Sequence, residues 1–201
     1  MTRPLTRRAF ITGLAALGLA PMIPAAARAL STQQAATLVG NLVNEINGVI
    51  NSGRSESAMY DQFERIFVRY ADVPTIARST LGPPARSASA AQMSAFTEAF
   101  QGYIARKYGA RFREFVGGKI TVQSARPVKS FYEVRSSADL RGEAPFDVTF
   151  LVSDRSGSPR FFDMLVEGVS LLKSERTEIG AMLDRNRGDI AALTADLRRA
   201  G

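Results

Sequence analysis

Apolar residues recur at helical spacing through the first half of the chain and then switch to alternation. Leu38, Leu42, Ile46, Val49 and Ile50 form one stripe, which predicts a helix capped by Ser31-Thr32 and ended by Ser52-Gly53. Met59, Phe63, Ile66, Phe67 and Tyr70 form a second stripe, on a helix starting near Ser55 or Ser57. Asp72 is placed to cap a short helix over residues 73–80, which Leu81-Gly82-Pro83-Pro84 closes. A long fourth helix is expected from Ser89, with Met93, Phe96, Phe100, Tyr103, Ile104, Tyr108 and Phe112 as its repeating face and Gly109 as a candidate bend.

After Gly117-Gly118 the period becomes two. Ile120 and Val122 alternate in a first strand, and residues 131–136 read as a second. A third, over 146–153, sets Phe146, Val148, Phe150 and Val152 against Asp147, Thr149 and Ser153. Asp154-Arg155-Ser156-Gly157 is a hairpin turn into a fourth strand over 161–166. Helical spacing returns at about Gly168 and runs to Leu183. Beyond Asn186-Arg187-Gly188, Asp189 caps a last helix ending near Arg199. Helices, then an antiparallel meander of about four strands, then helices again make an α+β arrangement, with the helices on one face of a curved sheet. Such a half-cone can leave a deep apolar cavity between its layers.

The first 29 residues read differently. Arg3, Arg7 and Arg8 precede an apolar run from Phe10 to Ala20. Pro21 and Pro24 stop it, and Ala27-Arg28-Ala29 forms a small-x-small site before Leu30. That order is a cleaved export signal, and the run is shorter than the roughly 20 apolar residues a spanning helix needs. Thr6-Arg7-Arg8-Ala9-Phe10-Ile11 resembles the twin-arginine motif, with Thr12 where that pattern often has Lys. The expected organisation is a signal over 1–29 and a single domain over 30–201, located in the periplasm.

Removing the signal changes the charge argument. The whole chain has 26 basic and 19 acidic residues, a net of +7. Four arginines leave with the signal and no acid does, so 22 basic residues face 19 acidic ones and the net falls to +3. Nucleic-acid binding loses its main support. Cysteine and histidine are both absent, which removes disulfides, the usual zinc ligands, Ser-His and Cys-His nucleophile pairs and the commonest general base. Asp163 and Glu167 share a strand face but stand roughly 13 Å apart at strand rise, too far for paired-carboxylate catalysis. Glu167 is expected to serve the start of the following helix by complementing its dipole. Arg106, Lys107, Arg111 and Arg113 read either as ligands for a headgroup phosphate or as a solvated helix end. The expectation is a binding protein, not an enzyme, with no cofactor and no metal.

Three segments, taken in order, resemble the MlaC (toluene-tolerance auxiliary) family. The first runs from Leu81-Gly82 through Arg86-Ser87-Ala88-Ser89-Ala90-Ala91-Gln92 to Phe96, Phe100 and Tyr108-Gly109. The second is Asp163-Met164-Leu165-Val166-Glu167-Gly168-Val169-Ser170-Leu171, and the third is Gly188-Asp189-Ile190 with Leu193 and Leu197. Pro159 departs from the family's frequent Trp after the hairpin glycine. The resemblance implies an NTF2-like fold holding phospholipid acyl tails, with the headgroup facing water. It also implies shuttling between an outer-membrane lipoprotein complex and an inner-membrane ABC transporter with an MCE component, with a different lipid such as a hopanoid as the alternative cargo. The expected lipid-contacting wall comprises Phe67, Tyr70, Phe100, Tyr103, Ile104, Tyr108, Phe150, Val152, Met164, Val166, Val169 and Leu172. The resemblance singles out Tyr108 and Val169.

Overall fold

A computed structural model describes residues 30–111, 116–140 and 142–200. The expected export signal lies outside them. Helix α1 (Thr32–Ile50) opens with Ser31, whose hydroxyl accepts the Gln34 N–H while the Gln34 side chain takes the Ser31 N–H. This reciprocal cap satisfies two otherwise orphaned donors. Helix α2 (Glu56–Tyr70) follows, then α3 (Val73–Leu81), capped by Asp72 through the Thr75 N–H. A 3-10 turn (Pro83–Arg86) leads to α4 (Ala90–Arg111). That helix continues through Gly109. The glycine serves close approach: a Cβ there would lie 2.5 Å from the Tyr60 ring of α2.

Five antiparallel strands follow in sequential order: β1 (Lys119–Val128), β2 (Phe131–Asp139), β3 (Phe146–Ser153), β4 (Arg160–Val166) and β5 (Val169–Ser170). β1 and β2 both run further than the apolar alternation predicts. They are joined by the two-residue turn Lys129-Ser130, with Val128 paired to Phe131. The register shifts between Val122 and Ser124 and between Leu151 and Val152. Such irregularities bend a sheet and increase its twist.

The expectation that helix begins at Gly168 is corrected. Glu167 (φ 49°) and Gly168 (φ 77°) both adopt the left-handed conformation. They form a two-residue hairpin that pairs Val166 with Val169, the backbone a tight primed turn demands. Helix α5 (Leu171–Arg185) therefore starts three residues later, with Ser170 as its cap, and α6 (Ile190–Arg199) is capped by Asp189.

α1 lies against β1, and Asn47 fixes its position. The Asn47 side-chain amide donates to the Ile120 carbonyl and accepts the Ile120 N–H, both at 3.0 Å. α4 is flanked by α2 and α6, and α3 packs on α5. Arg160 donates to the carbonyls of Val68 at 2.9 Å and Arg69 at 2.6 Å, placing a cation at the C-terminal end of α2 where the helix dipole favours it. The domain's first described residue is also docked. The Leu30 side chain is buried, its N–H donates to Asp154 Oδ2 at 2.9 Å, and its carbonyl accepts the Tyr132 hydroxyl.

Candidate functional site

The core is not filled solid. A cavity of about 390 Å³ lies between the inner face of the sheet and the helices. Leu42 and Ile46 of α1, Phe63, Ile66 and Phe67 of α2, and Phe100, Ile104, Ala105 and Tyr108 of α4 form the helical side. Ile120, Val148, Phe150, Phe161, Met164 and Val166 form the sheet side, with Leu171, Leu172 and Glu175 of α5 closing a flank. Glu143 is exposed yet belongs to the lining, with Leu140 and Phe146 beside it, so the cavity reaches the surface at the loop between β2 and β3. For scale, an apolar cavity of about 150 Å³ admits a benzene molecule.

The helical period explains which α4 residues take part. Phe100, Ile104 and Tyr108 stand four apart and share the cavity face. Tyr103 belongs to the adjoining stripe, which meets α5: its hydroxyl donates to Glu178 Oε1 at 2.8 Å and its ring is 2 % exposed. Of the twelve expected wall residues, Phe67, Phe100, Ile104, Tyr108, Phe150, Met164, Val166 and Leu172 line the cavity. Four do not. Tyr103 faces α5, and Tyr70 ends α2 with its hydroxyl on Glu45 Oε1 at 2.7 Å. Val152 is fully buried at the hairpin end of β3, between Tyr132 and Phe161. Val169 is 60 % exposed because the Glu167-Gly168 turn carries it onto the short edge strand β5.

Leu42, Ile46, Phe63, Ile66, Phe146 and Val148 also line the cavity without having been expected there. They already stood on predicted apolar faces. Periodicity marks a buried face but does not distinguish a wall from a filled core.

The polar groups of the wall are few and structured. Asp163, at the end of the cavity nearest α5, accepts the N–H groups of Met164 at 2.8 Å and Leu172 at 3.0 Å and the Ser170 hydroxyl at 2.6 Å. It holds the start of α5. Glu167, expected in that role, instead accepts the Asp147 N–H across the sheet end while its own N–H donates to the Asp147 carbonyl at 2.9 Å.

Beside Tyr108 sits a five-membered cluster joining α4 to α5. Lys107 Nζ donates to Glu175 Oε1 at 2.7 Å, to the Tyr103 hydroxyl at 2.9 Å and to Glu178. Tyr108 donates to the same Glu175 oxygen at 2.5 Å. Burial, reinforced by the neighbouring carboxylates, pushes the Tyr103 and Tyr108 hydroxyls well above the ordinary phenol range. Burial works against the Lys107 ammonium, but the hydrogen bonds it donates to Glu175 and Glu178 outweigh it and its pKa rises. The Lys107 contact lowers that of Glu178.

The basic run is accordingly accounted for in part. Lys107 is shared between two acids. Arg106 donates to the Leu197 carbonyl at 2.6 Å and twice to that of Ala200, closing the end of α6. The Arg111 side chain, Arg113 and Phe112 lie outside the described residues. Among the described residues, no group of histidine, cysteine or acidic side chains is placed to hold a metal ion.

Residues 40–199 match the MlaC protein family. The chain belongs to that family. A solved structure with the same fold is the phospholipid-binding protein from Ralstonia solanacearum, determined in complex with a phospholipid. It is 17 % identical, with a TM-score of 0.70, over 82 % of this MlaC-family chain and 95 % of the other. At that identity the likeness establishes a shared fold: six helices and an open five-stranded antiparallel sheet among the described residues. The cavity of this MlaC-family chain lies between those two layers.

Proposed function

We propose that this MlaC-family chain is a periplasmic phospholipid carrier that binds acyl tails in the apolar cavity and performs no chemistry on them. The observation that carries the reading is the 390 Å³ hollow walled by Phe67, Phe100, Ile104, Phe150, Met164 and Leu172. Each buried methylene contributes about 0.8 kcal/mol, so ten contribute about 8 kcal/mol. That is roughly the standard free energy of a micromolar complex before ordering costs. Family membership and the phospholipid-bound neighbour support the choice of ligand. On the same reading, residues 1–29 direct export and are removed, and the mature chain moves lipid between an outer-membrane lipoprotein complex and an inner-membrane ABC transporter with an MCE component. Those partners rest on the family resemblance.

Native mass spectrometry of protein purified from cells without delipidation tests the reading. Retained phospholipid is the expected result. A chain that consistently emerges empty would overturn the carrier assignment, and exclusive recovery of polycyclic triterpenoids would replace phospholipid with a hopanoid.

A further inference from the structure

At the end of the sheet away from the cavity mouth, Tyr132 near the start of β2 and Asp154 just past β3 hold Leu30 between them. The Leu30 side chain is buried in the core, its N–H donates to Asp154 Oδ2 at 2.9 Å, and its carbonyl accepts the Tyr132 hydroxyl. The two partners lie 124 and 102 positions away along the chain. A residue at the start of a domain is ordinarily loose unless something ties it down, and here the side chain and both main-chain groups are tied. Asp154 is the member that remains to be explained. It is half-buried, forms no ion pair among the described residues, and its carboxylate meets only the neutral N–H of Leu30. A carboxylate partly withdrawn from water is compensated far better by a cation, because charge-assisted hydrogen bonds are roughly twice as strong as neutral ones.

The chain can supply that cation at the same nitrogen. Hydrolysis of the Ala29–Leu30 amide by a signal peptidase adds water across the bond. The Ala29 carbonyl becomes a carboxylate, and the Leu30 nitrogen takes up a proton as an α-ammonium, its main form at neutral pH. The sequence offers two small-x-small sites, Ala25-Ala26-Ala27 before Arg28 and Ala27-Arg28-Ala29 before Leu30. Only the second puts the new charge on the nitrogen that faces Asp154; a terminus at Arg28 leaves that nitrogen a neutral amide. We propose that Asp154 and Tyr132 form a binding site for the chain's own processed amino terminus, so that cleavage before Leu30 creates an ion pair fastening β2 to the β3–β4 turn. The inference rests on the export reading and is independent of which lipid the cavity holds. It also orders the events. A protease takes its substrate as exposed chain, and a docked Leu30, with its side chain buried and its N–H occupied, denies that access. Cleavage therefore precedes docking, and docking then protects the new terminus.

The test produces the full-length chain in a bacterial host and purifies it from the periplasm. Intact mass spectrometry is expected to give a chain that starts at Leu30. A start at Arg28, or at any other residue inside the export reading's boundary, overturns the proposal alone, whereas a chain that keeps residues 1–29 brings down the export reading with it. The folded chain is then treated at neutral pH with an acetylating ester, and modification of the terminal amine is located by peptide mass spectrometry. Because a docked ammonium is out of the reagent's reach, acetylation at Leu30 is expected to run about tenfold slower than in the urea-denatured chain, the population ratio that one hydrogen bond to a charged group supports. Asp154→Asn keeps an oxygen acceptor but removes the charge, and is expected to bring the folded rate to within about threefold of the denatured one. A chain made to begin at Arg28 is expected to react as fast folded as denatured. Equal rates for the folded and denatured wild type overturn the proposal without needing any variant to fold. Full protection in Asp154→Asn also overturns it, because burial alone would then be responsible.

Discussion

Replacing Lys107 by Met removes the one cation of the α4–α5 cluster and leaves its acids behind. The side chains of Lys107, Glu175 and Glu178 are 23 %, 4 % and 49 % exposed. The outer contact, with Glu178, is solvated enough to be worth about 0–1 kcal/mol. The inner one is different. Stripping the partner from a buried charge costs about 3–5 kcal/mol, and the residual exposure of Lys107 places this pair at the lower end, about 3 kcal/mol. For a domain of this size each kcal/mol moves Tm by about 2–4 °C, so Lys107→Met should melt about 6–12 °C below the wild type at neutral pH. Circular dichroism at 222 nm measures this directly. The double variant Lys107→Met with Glu175→Met removes both buried charges at once. It should recover to within about 1 kcal/mol of wild type, the remainder being the hydrogen bond that Tyr108 loses. A Lys107→Met variant that melts within about 2 °C of wild type, or a double variant whose losses simply add, would refute the claim that Glu175 is held as a buried, charge-compensated acid.

Further outcomes follow from other parts of the structure. Ile104→Trp projects a ring into open space, so it should displace bound lipid without the roughly 1–3 kcal/mol that overpacking costs in a filled core. Val68→Trp, on the exposed side of α2, should leave lipid occupancy unchanged in the same mass-spectrometric assay. The cluster also contributes to the pH dependence of stability. The pKa of Glu178 is lowered from its ordinary 4.5, so its contribution is present above that value and is lost as pH falls through the folded-state pKa. Lys107, Tyr103 and Tyr108 are raised above 10.5, 10.0 and 10.0, so theirs is present below those values and is lost as pH rises through the folded-state ones. Melting curves recorded against pH should be flat between these limits as far as the cluster is concerned, and Glu178→Gln should soften the acid limb and, because Glu178 also helps raise Lys107 and Tyr103, part of the alkaline limb. Finally, in a chain processed to begin at Leu30, the docked N–H becomes an ammonium beside Asp154. Asp154→Asn should then cost about 1 kcal/mol, and visibly less in a chain that keeps the preceding residues, as judged by paired melts.

Much of the fold was legible because several helices carry their own punctuation. Ser31, Asp72 and Asp189 cap where the sequence places them, and the alternation over 146–153 matches β3 to the residue. The α5 boundary was not legible. Glu167 in a left-handed turn gives no compositional sign, and the apolar positions Val166, Val169, Leu171 and Leu172 read equally well as the start of a helix. The cavity was half legible. Phe100, Ile104 and Tyr108 stand on a visible stripe, but whether a neighbouring residue such as Tyr103 turns to the hollow or to α5 depends on tertiary packing that period alone does not encode. Glu175 was missed for a related reason. It lies among Lys173, Ser174, Arg176, Thr177 and Glu178, a run that reads as a solvated face, and only the partners Lys107 and Tyr108, distant in sequence, reveal that it points inward.

The hollow itself is the point on which the account stands. A crystal structure of protein purified without detergent exchange or delipidation should show continuous hydrocarbon density running between Phe100 and Ile104 on one side and Phe150 and Met164 on the other. If those four side chains are found in contact with one another across a closed interior, with no density other than their own, the carrier assignment is contradicted.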